Sequence, residues 1–549
     1  MKEILDNKKK FIYNSTIRSI FNKVYKKYPN NSFLASGYSG QNNIRNYTYK
    51  EVKKLIDQNI LFFKDCSMNI GDRVAIMIGN NPEYFILKLS INNFGLSCVP
   101  INNELSSREI KFILENANPK YLIIDSKNSL VKKKIFQITR KNKIGLIAFK
   151  SNTLELLKKS IVKSNKKEKF TSKLESSILY TSGTTGIPKG CILTNEYEIN
   201  AGYSYVKKKG LISINIGKER LYNCLPVHHV NAGVLSFFAM LITANCQIQA
   251  ERFSLNNFWD DIRLSKATIF HYLGVMVPLL MKRKKNKDEK KTQLRIGVGA
   301  GIEPSLHYSF ERRFNVCMIE IWGMTEMVRC IFDFERNRKV GKRCFGKTSD
   351  EIETKVVDQN GKELINKKGF FFIRYNKENP KKGFFKKYNK NENATKQAWR
   401  DGWFNTGDIV IKDSKGYHYF VDRAKNIIRR SGENISSVEV ENVLLNINYI
   451  VNCAVLSKSH EFYEEEVFAF IILNNTVKKD IDTAKNILRG IKNNLAYYKL
   501  PCFIKFIDKM PLTSSQKTNR SKLKSLLLSY KERDYINLEG FKKKFKKVN

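Results

Sequence analysis

Apolar and polar positions alternate along the first part of the chain in a regular rhythm. Residues 74–78 form a short β-rich apolar run. Residues 83–94 carry helical spacing and stop at Gly95. Residues 97–101 are β-like, 108–116 helical and 121–124 β-like again. This rhythm predicts βα units, hence a largely parallel sheet with helices on its faces. Residues 294–298 and 318–321 read as further strands. The longest apolar stretch, 232–244, is broken by Ser236 and Thr243. It is too short to span a bilayer and predicts a buried helix. Near residues 422–425 the segments shorten into mixed α and β. The predicted architecture is α/β: a large N-terminal domain of packed, mostly parallel sheets with helices (1–422), a smaller α+β C-terminal domain (423–530), and a basic tail (531–549). No repeat of solenoid period is visible.

Composition changes this picture little. Of 549 residues, 98 are Lys or Arg and 52 are Asp or Glu, a net charge of +46. Such a surplus suits nucleic acid, an anionic membrane or small polyanions. The lysines are spread evenly beside abundant Asn and Ile, the mark of AT-rich coding, and no nucleic-acid-reading module is recognisable. The basic run 282–291 reads as a solvated loop. Ten cysteines form no CxxC pair, as in a reduced cytosolic protein. The N-terminal residues have no apolar segment of signal-peptide type. A cytoplasmic location and no transmembrane segment are expected; peripheral membrane contact and homo-oligomerisation stay open.

The chemistry is concentrated in one loop. An apolar strand ends in Tyr180-Thr181-Ser182-Gly183-Thr184-Thr185-Gly186-Ile187-Pro188-Lys189-Gly190. Glycines let backbone N–H groups approach phosphate oxygens, hydroxyls add donors and Lys189 adds a positive charge. This is not a Walker A loop, which needs Gly-Lys-Ser/Thr. Asn195 with Glu198 has the spacing of a capping box at the next helix. In Trp322-Gly323-Met324-Thr325-Glu326, an aromatic suited to stacking on a base precedes a phosphate-bonding hydroxyl and a carboxylate suited to Mg²⁺. Asp408 ends the turn-rich segment 401–408, and a carboxylate there can accept both ribose hydroxyls. Arg423 has donors for ribose or phosphate.

The phosphate loop resembles the signature of the adenylate-forming (AMP-binding) superfamily, and the later motifs resemble its other signatures in order. The resemblance spans about residues 47–520. It implies an acyl-CoA synthetase using ATP, Mg²⁺ and coenzyme A, with a small-molecule carboxylic acid as the other substrate and no nucleic-acid partner. On that likeness, Gly299-Ala300-Gly301 border the adenine and Glu326 holds the metal. Lys517, within Pro511-Leu512-Thr513-Ser514-Ser515-Gln516-Lys517, is the catalytic lysine, with Thr325, Glu326 and His229 as further catalytic candidates. Lys425 is the hinge, and Gly432, Glu433 and Asn434 form the pantetheine tunnel. His229, Asn231, Tyr272 and Gly274 belong to the acyl pocket. Two departures are Gln516 and Phe370, where many members have Gly and Glu. Residues 225–231, 251–259 and 270–276 are similar to the carnitine/crotonobetaine-CoA ligase and fatty-acyl ligase branch. A quaternary ammonium acid would suit an aromatic cage, with Tyr272 and Trp322 as candidates. Two alternatives remain: an adenylation enzyme loading a separate carrier protein, and a non-enzymatic polyanion- or membrane-surface-binding protein on this scaffold.

Overall fold

The computed structural model describes residues 14–36, 45–126, 129–164, 168–181, 188–349, 351–430, 433–513 and 517–545, without the side chains of 129–134, 287–288, 328 and 434. The chain divides into two compact units: 1–353 with 374–403, and 354–373 with 404–549. No described helix is long and apolar enough to cross a membrane.

The first unit contains two eight-stranded sheets. In one, Arg73–Met77, Ser97–Pro100, Tyr121–Asp125 and Gly145–Lys150 run parallel. The connecting helices fall where the pattern placed them. Pro82–Phe94 starts at the Asn81 cap and ends on Gly95 at φ +100°, a conformation that favours glycine. Ser107–Ala117 opens with a Ser106/Glu109 capping box. Pro82–Phe94 is buried on every side, Lys88 included, so its polar positions do not mark a solvent face. Lys88 pairs with Glu198 at 2.8 Å, both fully buried. That pair corrects one expectation. Asn195 and Glu198 form no capping box: Thr194 caps the helix Asn195–Val206 by accepting from Tyr197 N. Asn195 instead accepts from Ile17 N and donates to Leu174 O.

The other sheet carries the strands Cys246–Gln249, Arg220–Asn223, Ile269–Leu273, Ile296–Ala300 and Cys317–Met324, all parallel. Their carboxyl ends therefore lie along one edge. The apolar stretch expected as one helix forms a π-helical turn, Asn231–Ser236, followed by the α-helix Phe237–Ile242, with Ala232 to Ile242 buried. Gly233 permits that turn: a Cβ there would meet Val227 O at 2.1 Å. Within 282–291, Glu289 is buried and pairs with Arg313 at 2.7 Å, so the basic run is anchored.

In the second unit, Lys368–Arg374, Trp403–Lys412 and His418–Arg423 form an antiparallel ladder. A further sheet is built on the long hairpin Ile450–His460/Glu464–Leu473, with Phe503–Phe506 added in parallel. The helices Ser437–Leu445 and Ile481–Ile491 supply Val440, Leu444, Ile487 and Leu488 to its core. The segment after Ser529 corrects the expectation of a basic tail. Ile536–Asn537 adds a strand beside Phe503–Phe506, and the helix Glu539–Lys543 docks behind it. Lys542, 1% exposed, bonds Glu466 at 2.9 Å, and Arg430 pairs with the same carboxylate. A lysine that would be solvated in a free tail is thus an internal counter-charge.

Candidate functional site

In the first unit, four segments singled out from the sequence leave the parallel strands at their carboxyl edge. Residues 225–231 follow Arg220–Asn223, Gly274 follows Ile269–Leu273, Gly301 follows Ile296–Ala300, and Thr325-Glu326 follow Cys317–Met324. That edge is where open α/β sheets bind ligands. The backbones there are packed too closely for side chains. A Cβ on Gly274 would meet Gly301 O at 1.8 Å, and one on Gly299 would meet Tyr272 O at 2.2 Å. Gly274 N donates to Ala300 O at 3.0 Å, and Gly301 adopts φ +82°. Glu320 holds this bend by accepting from Gly301 N at 3.1 Å and Ile302 N at 2.8 Å. Burial pushes its carboxyl up to about 7. Glu320 carries no motif and was not anticipated.

The strands Cys317–Met324 and Met327–Phe332 form an antiparallel hairpin with Thr325-Glu326 at its tip. Three side-chain or backbone contacts hold that tip. Tyr197 Oη donates to Thr325 O at 2.6 Å, Phe385 N to Glu326 O at 2.9 Å, and Tyr388 Oη to Glu326 Oε1 at 2.6 Å. Burial first, then the Glu326 carboxylate, push the Tyr388 phenol up, so it stays a donor. Lys189 Nζ lies 5.1 Å from the centre of the same Tyr388 ring. Tyr388 reaches this point because Lys387–Tyr388 adds an edge strand to Lys189–Thr194. Sheet pairing thus brings Lys189 and Glu326, far apart in sequence, to one phenol, the lysine over its ring and the carboxylate at its hydroxyl. Tyr388 had no signature of its own.

The phosphate loop follows a strand, as expected, and leaves into a second strand that was not expected. Glu175–Thr181 and Lys189–Thr194 are paired antiparallel, with Thr181 opposite Lys189. Ser182, Gly183, Thr184, Thr185 and Gly186 lie outside the described residues. Glu326 has one carboxylate oxygen beyond its bond to Tyr388, and no cluster of three metal-ligating side chains exists among the described residues. One carboxylate fits a Mg²⁺ that takes its remaining oxygens from phosphates and water.

Trp322 is 6% exposed and stacks on Phe345 at 6.0 Å, while Gly323 is exposed and Met324 half-buried. Tyr272 is 0% exposed in the core, its ring beside Phe270 and its hydroxyl donating to Ile319 O. It forms the floor beneath Gly299 and offers no open ring face to a cationic ligand. His229 is half-buried, its ring 4.5 Å from that of His228. Asn231 Oδ1 lies 2.6 Å from His271 Nδ1.

The second unit groups other candidates. Asp408 and Arg423 face each other across the ladder, Arg423 Nε 2.8 Å from Asp408 Oδ1, and Asp408 is 1% exposed. Gly407, at φ +70°, turns the chain before it. Lys425 is exposed in the short turn Ala424–Asn426. Its ammonium is lowered by desolvation, then by Arg423 and Arg520. Asp422, unanticipated, ties this turn down. Its Oδ1 accepts from Arg423 N and Asn426 Nδ2, and its Oδ2 from Ser436 Oγ, Ser437 Oγ and Val438 N. Glu433 is exposed at the start of Glu433–Ser436, while Gly432 and the side chain of Asn434 lie outside the described residues.

Lys517 is bonded to Thr513 in both directions: Thr513 N donates to Lys517 O at 2.6 Å, and Lys517 N donates to Thr513 Oγ1 at 3.2 Å. Its ammonium is lowered by desolvation first and Arg423 second, with Asp408 opposing. The residue as a whole is exposed. Gln516 lies outside the described residues.

A family model for AMP-binding enzymes matches residues 21–376, and one for the AMP-binding enzyme C-terminal domain matches 439–517. The crotonobetaine/carnitine–CoA ligase of Proteus mirabilis is 25% identical over 497 residues, covering 88% of this chain and 94% of that protein. The ligase of the same name from Salmonella agona is 26% identical over 494 residues, covering 88% and 93%. Among solved structures, ATP-bound MatB from Rhodopseudomonas palustris shares the fold at TM-score 0.79 and 20% identity, over 94% of this chain and 99% of that one. The o-succinylbenzoate CoA synthetase of Bacillus subtilis does so at 0.75 and 22%, over 93% and 98%. The chain therefore belongs to the AMP-binding enzyme family of adenylate-forming enzymes, and its curated relatives over most of its length are acid–CoA ligases.

Proposed function

We propose that the chain is an ATP-dependent acyl-CoA synthetase that activates a carboxylic acid as its adenylate and passes the acyl group to coenzyme A. The observation that carries this is the placement of Lys189 and Glu326 around Tyr388 at the foot of the phosphate loop. A fixed cation and a fixed carboxylate there suit a triphosphate and its Mg²⁺. The metal, when bound, would neutralise phosphate charge as pyrophosphate leaves.

A carboxylate is a poor acyl donor because its leaving group would be oxide; adenylation replaces that with AMP. Attack on the α-phosphate concentrates negative charge on phosphoryl oxygens, so catalysis is positioning plus electrostatic stabilisation. Thr181 through Lys189 would hold the β- and γ-phosphates. Thr325 would bond the α-phosphate, Asp408 and Arg423 the ribose, and Lys517 would bridge the carboxylate and α-phosphate. Gly299–Gly301 and Trp322 would border the adenine. Rotation about Lys425 would then withdraw Lys517 and bring residues 432–434 to guide the thiol, with His229 beside the acyl group. Hinge motion absorbed by a few residues at an element end has this form. The acid is proposed to be carnitine, crotonobetaine or a fatty acid of modest length, on the likeness to the curated relatives.

The two half-reactions separate the roles. Lys517→Ala should abolish acid-dependent ATP–pyrophosphate exchange yet leave CoA transfer from supplied acyl-adenylate largely intact. Equal loss, or no loss, of both half-reactions would remove Lys517 from its role. Thioester formation from ATP, acid and CoA distinguishes this reading from loading of a carrier protein.

A further inference from the structure

Asn231 opens the π-helical turn at the carboxyl edge of the sheet, half-buried, within the segment proposed to line the acyl pocket. Its neighbours decide which end of its amide faces outward. Leu225 N donates to Asn223 Oδ1 at 2.9 Å. A backbone N–H can only donate, so this oxygen is the acceptor and Asn223 Nδ2 must itself donate. That nitrogen lies 3.0 Å from Ser236 Oγ and 3.4 Å from Asn231 Oδ1. His271 Nδ1 lies 2.6 Å from the same Asn231 oxygen. Burial holds His271 down to about 3, so the ring is neutral and carries one proton. The Tyr205 hydroxyl is fully buried and has His271 Nε2, at 3.3 Å, as its one hydrogen-bond partner among the described residues, so its proton goes to that nitrogen. The ring proton is then on Nδ1 and is given to Asn231.

Two donors therefore converge on Asn231 Oδ1. Reversing the amide would set an NH₂ group against both and strand buried polar atoms without partners. The Asn231 Nδ2 group is turned away from this network, and no hydrogen bond to a described residue uses it. Its position at the carboxyl edge makes it a donor whose direction is set before any ligand arrives.

We propose that Asn231 is a specificity-determining residue whose fixed amide donor selects acids with an acceptor oxygen, hydroxyl or oxo, on the acyl chain over plain acids of the same length. This rests on the acyl-CoA synthetase reading above. A plain alkyl chain would desolvate the donor without replacing its bond to water, whereas a hydroxyl or oxo oxygen would restore it.

The test compares matched acids in CoA thioester formation by the full-length protein. The set is carnitine against crotonobetaine, 3-hydroxybutyrate against butyrate, and 4-hydroxypentanoate and 4-oxopentanoate against pentanoate. Wild type should favour at least one oxygenated partner by about tenfold to a hundredfold in kcat/KM. Asn231→Leu should bring that ratio close to one. Asn231→Asp keeps the inward oxygen and presents an outward acceptor. It should disfavour 4-oxopentanoate, which can only accept, more than 4-hydroxypentanoate, which can donate. Equal use of all matched acids by wild type would overturn the proposal. So would variants that lower every acid in proportion, the mark of a purely structural asparagine. If wild type forms neither adenylate nor thioester from any acid, the synthetase reading fails and this inference with it.

Discussion

Glu320 shows how one buried carboxyl can couple the candidate adenine loop to pH. It accepts from Gly301 N and Ile302 N, yet burial outweighs those bonds and raises it to about 7. A raised acid binds more protons folded than unfolded. Its contribution to stability is complete below the ordinary value of 4.5 and is lost as pH rises through about 7, by up to about 3 kcal/mol. Wild type should therefore lose stability from pH 5 to 8 relative to Glu320→Gln, measured by urea unfolding; parallel pH profiles would refute this. Gly274 offers a steric prediction. Gly274→Ala places a Cβ 1.8 Å from Gly301 O and should destabilise by at least about 1–3 kcal/mol. Gly540, in the helix Glu539–Lys543 with open space around its Cα, is the control: Gly540→Ala should be neutral or stabilising by up to about 1 kcal/mol. Equal thermal shifts for the two would show that crowding at Gly274 is not the cause.

At the scale of elements, the C-terminal segment is the clearest departure from what its composition suggests. Its lysines made it look solvated, but Leu538 is 1% exposed and Lys542 meets Glu466 beside Arg430. Deleting residues 536–549 removes an edge strand, a buried leucine and one of two cations on a buried carboxylate. It should destabilise the unit 354–373/404–549 by at least about 3 kcal/mol. Loss of its own urea transition midpoint, with no change in the transition of the unit 1–353/374–403, is the expected result; an unchanged midpoint would make the segment a true tail. The helices Pro82–Phe94 and Ser107–Ala117 behaved oppositely, because their boundaries rest on local caps and a glycine whose signals lie within a few residues. The cap of Asn195–Val206 was misassigned since Glu198 is claimed by Lys88, 110 residues away.

At the scale of the whole molecule, the proposed mechanism needs the two half-reactions to be separable by a change at Lys425. Asp422 accepts five hydrogen bonds that bracket Lys425, from Arg423 N before it and from Asn426, Ser436, Ser437 and Val438 after it, so rotation at this turn must carry or break these contacts. Lys425→Pro should leave adenylate formation within about threefold of wild type and slow thioester formation by about tenfold or more, as expected when a hinge is stiffened without touching the chemistry. Loss of adenylation alone, with CoA transfer intact, would place the hinge elsewhere. The net charge of +46 is what remains after every carboxylate is counted, so ion pairs such as Arg295–Glu219, Arg313–Glu289 and Lys120–Asp72 fix individual side chains without reducing it.

Periodicity and motif order carried the α/β class, the helix boundaries and the family, because all three are written in residues adjacent in sequence or at fixed spacing. A phosphate loop is contiguous, so its chemistry is readable from one stretch. Tyr388, Glu320 and Asp422 carry no such signature, and His271 lies in the stretch 270–276 without one of its own. Their meaning comes from contacts across sheets and between strands: Tyr388 with Glu326, 62 residues apart, and His271 with Asn231, 40 apart. Whether Tyr272 lines a pocket or fills a core, and which way Asn231 points, depended on packing and on the count of donors and acceptors around each atom. Those quantities exist only once the chain has folded.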